Sequence, residues 1–379
     1  MTKLLGAIFL VSGTAIGAGL IALPLASANI GILMSSVIIL FSFFVAYQTS
    51  SITNRLIEKS GSCCSIVELS KKFAGRPTMY ITMASFYILS LSLLSVYFAG
   101  TSSILDYFFH LNNNNISLVL CFVLFLFLFA LKSNLFNKVN AGLFLILLLV
   151  ISLVISSTFN AEKTLAIQSS TFTCKDIFYF LPVIFTSFGV QNICPYVCEI
   201  LEMDTAKIKK AFLIGTLIPA IIYILWIYAT LQSAYSIDIS FFERILNHQV
   251  DVGELIGRLC ESARSEFINI FFKVLSLSAI ITSAVGIGIG LICSIKENIK
   301  PRFNRLIPLL VVLVPVFVTL LIPNAFMNVL SFGGAIATTF VIFTPFYLIF
   351  RINRNEAISI KNLICVVFGV IIMLSEVFR

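Results

Sequence analysis

The feature that most constrains this chain is an uncharged apolar stretch that extends from Leu4 to Asn54. A membrane-spanning helix needs about 20 consecutive apolar residues, so the stretch is long enough for two spans. Its first half contains Gly13, Gly17 and Gly19, each of which weakens a helix by about 1 kcal/mol relative to alanine. In lipid, an unwound backbone is tolerated only where its polar groups meet partners or line a cavity. The stretch therefore predicts two spans, the first of them broken near its middle.

The glycines and flanks of the first span are also compatible with helix packing or with a signal peptide. Gly13 and Gly17 form a small-xxx-small pattern, which allows close packing between helices. Lys3, the apolar run and the small residues Ala26 to Ala28 resemble a signal peptide. The length of the run, and the further apolar runs after it, disfavour the signal peptide, whereas helix packing stays open.

The composition extends the membrane prediction to residues 1–379 as a single transmembrane domain. The chain is 59% hydrophobic and only 11% charged, whereas soluble domains have about 25% charged residues. A separate soluble catalytic domain is therefore excluded. Charge-free runs predict an all-α protein with eleven spans, at about 4–29, 31–54, 79–105, 116–131, 139–158, 177–201, 211–233, 267–294, 306–322, 325–350 and 362–377.

The basic residues predict the orientation of these spans. If the N-terminus is cytoplasmic, most of the 25 Lys and Arg fall in cytoplasmic loops, as the positive-inside rule requires. The other side carries only Lys163, Lys175, Arg244, Arg258, Arg264, Lys273 and Arg379. This distribution accounts for the net charge of +8 without a nucleic-acid partner.

Cysteine and histidine give no sign of a metal centre or a cofactor. The nine cysteines form no C-x-x-C pair, and His110 and His248 both lie in predicted loops. Cys174 and Cys260 lie in predicted outer loops, where a disulfide between them is possible. The predicted spans hold no cluster of titratable groups, which disfavours an enzyme.

The sixth predicted span contains a second break. Gly189 and Pro195 interrupt its helix, and Thr186, Ser187, Gln191 and Asn192 place polar groups beside the interruption. Such groups either bond to a neighbouring helix or line a cavity, because unpaired polar groups are costly in lipid.

The two breaks lie five spans apart, the spacing of broken helices in transporters with the leucine-transporter fold. That fold consists of two inverted five-span repeats, which here correspond to about 4–158 and 177–350, with an extra helix at about 362–377. The ends of broken helices expose amides and carbonyls that suit a carboxylate and an ammonium group, respectively. The pattern predicts a site for a zwitterionic amino acid without charged side chains.

The eighth span carries hydroxyl groups next to a glycine-rich segment. Thr282 and Ser283 precede Gly286, Gly288 and Gly290. The hydroxyls either complete an oxygen site for a small cation or bond to their own helix.

Several of these stretches resemble the hydroxy and aromatic amino acid permease family of the amino acid/polyamine/organocation superfamily, especially its tyrosine-specific members. They are GTAIGAGLIALPLA (13–26), LPVIFTSFG (181–189), IGTLIPAIIYILW (214–226) and AIITSAVGIGIGL (279–291). The resemblance implies import of an aromatic amino acid, tyrosine or tryptophan, together with a proton across a bacterial inner membrane. A hydroxy amino acid such as serine or threonine, and Na⁺ as the coupling ion, remain alternatives.

Motif positions and polar groups at the breaks together supply the candidate site residues. The predicted substrate-binding set is Gly13, Thr14, Ala15, Ile16, Gly17, Ala18, Gly19, Ser92, Thr186, Ser187, Phe188, Gly189, Gln191 and Asn192. The predicted coupling-ion set is Ala279, Thr282 and Ser283. Related permeases have Phe-His where this chain has Val190-Gln191, so Glu199 and Glu202, near the inner end of span 6, are the nearest candidates for a group that couples protons. A passive facilitator and a transporter-like sensor are the rival functions, and the oligomeric state is left open.

Overall fold

The computed structural model describes residues 3–109, 172–261, 306–322 and 325–378, together with scattered residues between 119 and 152 and between 273 and 296. All regular structure in these ranges is helical, as predicted. Predicted spans 4 and 5 and much of span 8 lie outside the described residues.

The helices of the first range correspond to predicted spans 1 to 3 and the loop between spans 2 and 3. They are α1 (Lys3–Ala15), α2 (Ala18–Ser27), α3 (Gly31–Ser60), α4 (Ile66–Ala74) and α5 (Arg76–Phe109).

The helices of the later ranges correspond to predicted spans 6, 7, 9, 10 and 11 and the loops between them. They are α6 (Cys174–Ser187), α7 (Cys194–Ile200), α8 (Thr205–Ile237), α9 (Ile239–Leu246), α10 (Val252–Glu261), α11 (Ile307–Leu321), α12 (Ala325–Thr338), α13 (Thr344–Ile352), α14 (Arg354–Ala357) and α15 (Ile360–Phe378).

Length and composition make several of these segments membrane-spanning. Within the described ranges, six helical segments are long and apolar enough to cross a bilayer, or seven if α1 and α2 form one bent span. The chain is therefore a multi-pass membrane protein.

The loop between α3 and α5 contains a short helix that the polar composition of this segment does not predict. α4 begins with a capping box in which Ser65 and Glu68 each accept a hydrogen bond from the other's backbone amide. Its buried face consists of Ile66, Leu69 and Ser70. Lys71 and Lys72 lie on the exposed face and make the segment polar on average. The average composition therefore does not reveal the buried apolar face of α4.

The long loop after α8 is partly helical, as predicted. Arg244 of α9 forms a two-pronged ion pair with Glu254 of α10, with N–O distances of 2.7 and 2.8 Å. The possible disulfide between Cys174 and Cys260 is absent, since both are free thiols. Cys260 is buried on the packed face of α10, whereas Cys174 is exposed at the start of α6.

Helix packing brings the two predicted breaks together. α1 packs against α8, and α2 packs against both α6 and α8. α5 contacts α10, α11 and α12. The ends of α1 and α6 therefore lie near the same part of α8.

The segment after α12 departs from α-helical geometry. Residues Thr339–Phe343 form a π-helical turn before α13 begins. The amide and the hydroxyl of Thr344 both donate to the carbonyl of Thr339, five residues earlier, the hydroxyl at 2.8 Å. Such turns widen a helix locally and are frequent near functional sites.

Candidate functional site

The first span breaks at the glycine cluster. α1 ends at Ala15, α2 begins at Ala18, and the two segments are bent by 49°. Gly17 lies between them with φ −135° and ψ −126°, outside helical geometry, and as the N-cap residue it has no side chain to cap the amides of α2. The break therefore presents the carbonyl end of one half-helix and the amide end of another.

The sixth span breaks at the predicted position. α6 ends at Ser187, and a 3₁₀ turn at Gln191–Ile193 leads into α7. Between them, the amide of Val190 donates to the carbonyl of Phe188 at 2.8 Å. This break also presents a carbonyl end, here of α6, and an amide end, here of the segment leading to α7.

A tyrosine on α8 joins the two carbonyl ends. The fully buried hydroxyl of Tyr223 lies 2.6 Å from the carbonyl oxygen of Ala15 and 3.1 Å from that of Ser187. Its single proton is shared between two carbonyls at the negative ends of α1 and α6. The ring of Phe188 packs edge-on against the ring of Tyr223, with centroids 5.6 Å apart. Tyr223 lies within the stretch 214–226, but no feature of the sequence distinguishes it as a site residue.

Gly17 lies directly against two hydroxyl groups. A methyl group added at Gly17 would lie 2.5 Å from Ser283 Oγ and 3.4 Å from Tyr97 Oη. Spans 3 and 8 thus contribute polar atoms to the break in span 1. Ser283 belongs to the predicted coupling-ion set, and Ala279 of that set is buried one turn away. Thr282 lies outside the described residues.

Gly19 brings the first break into contact with the sixth span. A methyl group at Gly19 would overlap Ser187 Oγ and would lie 3.0 Å from Tyr223 Oη. Four predicted site residues, Gly17, Gly19, Ser187 and Ser283, therefore form one group together with Tyr97 and Tyr223. We call this group the break site.

Other predicted residues lie near the break site but face different neighbours. Thr186 bonds to the Pro182 carbonyl of its own helix at 2.7 Å and packs against Gly334 of α12. Ser92 faces Gly333 of α12, where a methyl group would lie 3.6 Å from its Cβ. Ala15 and Ile16 are buried within the break, Gly189 is half-buried, and the Ala18 side chain is outside the described atoms.

Four predicted residues are placed outside the break-site group. Thr14 is exposed and its hydroxyl donates to the Leu10 carbonyl of α1 at 2.8 Å, while Gly13 is only half-buried. Asn192 is exposed. Gln191 is buried, but its amide donates to Thr49 of α3 at 2.6 Å. The turn at Gln191–Ile193 changes the helical register, so sequence spacing alone does not predict the directions of Gln191 and Asn192.

The break site offers polarity without charge. No Asp, Glu, Lys, Arg or His occurs at 4–54 or 177–198. Its amide ends and hydroxyls suit a carboxylate, and its carbonyl ends suit an ammonium group. No cluster of His, Cys, Asp and Glu able to hold a metal ion occurs among the residues that the structure describes.

The two glutamates at the inner end of span 6 lie outside this site. Glu199 is exposed on α7. Glu202, in the turn after α7, pairs with Lys3 at the start of α1. The hydrogen bond from Lys3 and its positive charge lower the pKa of Glu202 from its usual 4.5. Glu202 and Met203 both have positive φ, 52° and 59°, so the backbone is held in a conformation that side chains disfavour.

We expect the Lys3–Glu202 pair to stabilise contact between the ends of α1 and α7. Lys3→Glu should increase labelling of Cys198, which is buried on α7, by roughly two-fold in a single-cysteine background, since exposed pairs are weak. Exchanging both charges, Lys3→Glu with Glu202→Lys, should restore slow labelling. Because the pKa of Glu202 is lowered, the pair persists at neutral pH and is lost only as the pH falls through that lowered value. Equal labelling of wild type and Lys3→Glu would contradict this role.

The chain is similar to known permeases over almost its whole length. The tryptophan/tyrosine permease family matches residues 1–378. The tyrosine-specific transport system 1 of Haemophilus influenzae is 26% identical, over 94% of this chain and 90% of that protein. Glutamine transporter 2 of Aliivibrio fischeri is 24% identical over 99% of both chains. The low affinity tryptophan permease of Proteus vulgaris is 25% identical over 98% of this chain and 94% of its own length.

The family match covers almost the whole chain, including both broken spans and the α8 segment that carries Tyr223. Families of permeases move solutes and are not enzymes, which agrees with the uncharged character of the spans. The chain belongs to the tryptophan/tyrosine permease family of multi-pass membrane proteins.

Proposed function

We propose that this protein is a secondary active transporter that imports an aromatic amino acid, tyrosine or tryptophan. The observation that carries the proposal is the convergence of two broken spans on one uncharged site, where Tyr223 contacts the carbonyl ends of both α1 and α6. The amide end of α2 begins beside these carbonyl ends, since Gly19 lies against Ser187 and Tyr223. A zwitterion carries both charges on one carbon, so paired ends of opposite polarity match it.

The proposed architecture is the leucine-transporter fold with eleven spans. In it, about 4–158 and 177–350 form inverted repeats, and α15 is the extra C-terminal helix. The breaks in the first and sixth spans support this arrangement, because that fold places its discontinuous helices there. The site would alternate between the two sides of a bacterial inner membrane, with the N-terminus in the cytoplasm.

The proposed coupling ion is a proton, with Na⁺ as the alternative. One positive charge moving inward gains about 2.3 kcal/mol per 100 mV of membrane potential. Ala279, Thr282 and Ser283 are the proposed cation-site residues, and the contact between Ser283 and Gly17 would couple that cation to the substrate.

Glutamine is a second candidate substrate. It is favoured by the relative named for glutamine transport, which aligns over 99% of both chains. Like tyrosine and tryptophan, it would present its carboxylate and ammonium groups to the break site and differ only in its side chain.

Counterflow in proteoliposomes tests the proposal. We expect vesicles loaded with unlabelled tyrosine to accumulate labelled tyrosine, and external tryptophan to compete for it. An imposed inward proton gradient should drive uptake, and an imposed Na⁺ gradient should not. Competition by glutamine but not by tryptophan would favour the second candidate. Failure of counterflow with tyrosine, tryptophan, glutamine and serine would contradict a carrier function.

A further inference from the structure

Four exposed basic residues lie at the end of the bundle that the basic loops predict to be cytoplasmic. Lys71 lies in the last turn of α4 and Arg76 begins α5. Arg351 lies in the last turn of α13 and Arg354 begins α14. We call these four residues the inner basic cluster. All four side chains are exposed.

Contacts between helices hold the backbone of the cluster together. Nη1 of Arg351 donates to the carbonyl of Ala74 at 3.4 Å, two residues before Arg76. α13 packs against α4, and the hydroxyl of Thr344 on α13 lies 3.5 Å from that of Thr82 on α5. The end of α4, the start of α5 and the end of α13 therefore present their cations at one place.

The cluster has no acidic partner among the residues that the structure describes. None of its four cations forms an ion pair there. Glu68, the carboxylate of α4, accepts from the amide of Ser65 at the start of that helix. By contrast, Lys3 on the same predicted side pairs with Glu202. Cations that lie together without a counter-charge repel one another, so this place favours an anion.

Exposed aromatic rings lie beside three of these cations, on the side toward the bilayer. The pairs are Arg76–Tyr80, Arg351–Tyr347 and Arg354–Phe350, each four residues apart. In the third pair the guanidinium carbon lies 5.6 Å from the ring centroid. The rings are 56%, 45% and 44% exposed, in the same order. Exposed tyrosine and similar rings mark the boundary between head groups and hydrocarbon, so the cations lie at the level of the head groups.

We propose that the inner basic cluster binds the phosphate head group of an anionic phospholipid from the surrounding leaflet. Guanidinium groups can donate two parallel hydrogen bonds to one phosphate. The exposed rings contact the glycerol and acyl chains of the same molecule. A free phosphate ion would gain only the first of these contacts, which favours the lipid as the occupant. The inference goes beyond the proposed function, because it does not depend on which solute the protein transports.

The competing role of these charges is to orient the chain in the membrane, which needs no bound lipid. That role depends on the number of positive charges on one side, whereas lipid binding depends on their mutual positions. Lys209 and Lys210 of α8 supply the comparison, since both are exposed on the same predicted side. Four residues beyond them, Leu213 and Ile214 provide no aromatic ring.

Lipid titration of the purified full chain in detergent, followed by native mass spectrometry, tests the proposal. Wild type should bind phosphatidylglycerol more tightly than phosphatidylcholine with the same acyl chains. Each cation removed should weaken binding about five-fold, so Arg351→Gln with Arg354→Gln should raise the apparent Kd about 25-fold. Lys71→Gln with Arg76→Gln should have a similar effect while keeping the hydrogen bond to Ala74. The matched control, Lys209→Gln with Lys210→Gln, should stay within about two-fold of wild type.

Thermal unfolding without added lipid establishes that each variant is folded. Equal binding of the two lipids by wild type would overturn the proposal, as would unchanged binding in both cluster variants. An equal loss in the α8 control would show that binding follows total charge and not this arrangement. Displacement of the lipid by an equal concentration of inorganic phosphate would assign the cluster to a free anion. Absence of counterflow would remove the proposed function and leave the lipid site intact.

Discussion

Tyr223→Phe should reduce the initial rate of tyrosine uptake per inserted molecule by at least about ten-fold. The variant keeps the ring that packs against Phe188 and removes only the hydroxyl. The carbonyls of Ala15 and Ser187 then lose their shared donor. A buried acceptor left without a donor costs about 1–3 kcal/mol, and each 1.4 kcal/mol is roughly ten-fold. The measurement is counterflow of labelled tyrosine in proteoliposomes of matched protein content.

The matched control is Tyr196→Phe. Tyr196 is half exposed on α7, so removal of its hydroxyl should leave the uptake rate unchanged. Wild-type uptake in Tyr223→Phe would show that the two carbonyl ends do not need this hydroxyl. A lower rate in both variants by the same factor would point to a general loss of stability instead.

Gly17→Leu should abolish uptake while the protein still inserts into the membrane. A first side-chain carbon at Gly17 would already lie 2.5 Å from Ser283 Oγ, closer than van der Waals contact allows. The larger side chain would also reach Tyr97 and separate spans 1, 3 and 8. Misplacement of binding groups by about 1 Å can lower a rate by about 100-fold, and we expect a loss of at least that size. Membrane content by immunoblot and counterflow rate are the two measurements.

Gly6→Leu is the control for this substitution. Gly6 belongs to the same helix, α1, but a methyl group added there meets no atom within 4 Å. Uptake by Gly6→Leu should therefore remain normal. If Gly17→Leu also transports tyrosine normally, the break site is not where the substrate binds.

The two breaks are predictable from the sequence because the relevant physics is local. Glycines at 13, 17 and 19 weaken a helix wherever they occur. In lipid, an unwound backbone is tolerated only where its polar groups meet partners or line a cavity, so a weak point in a span indicates such a place. The bend between α1 and α2 confirms the first break, and the gap between α6 and α7 confirms the second. Helix ends are predicted less well, since α3 continues through Arg55 and Lys59 to Ser60.

The residues that join the breaks are not predictable in the same way. Tyr223 is one tyrosine in an apolar span, and its partners, Ala15 and Ser187, act through backbone carbonyls that every residue has. Sequence spacing carries no information about such a contact. Gln191 is predicted to line the substrate site, but its amide bonds to Thr49, and only the three-dimensional register of the 3₁₀ turn reveals this. The cation-site set of Ala279, Thr282 and Ser283 stays a prediction.

The π-helical turn at Thr339–Phe343 allows one continuous helical span to contact two different sets of neighbouring residues. Before it, Gly334 approaches the Pro182 carbonyl of α6 closely. After it, the Thr344 hydroxyl lies 3.5 Å from that of Thr82 on α5. Deleting one residue between them would turn everything downstream by about 100° about the helix axis. A helical wheel with one constant period therefore assigns half of this span to the wrong face. The extra residue in the turn sets the rotation of α13 relative to α12 at which both contacts form.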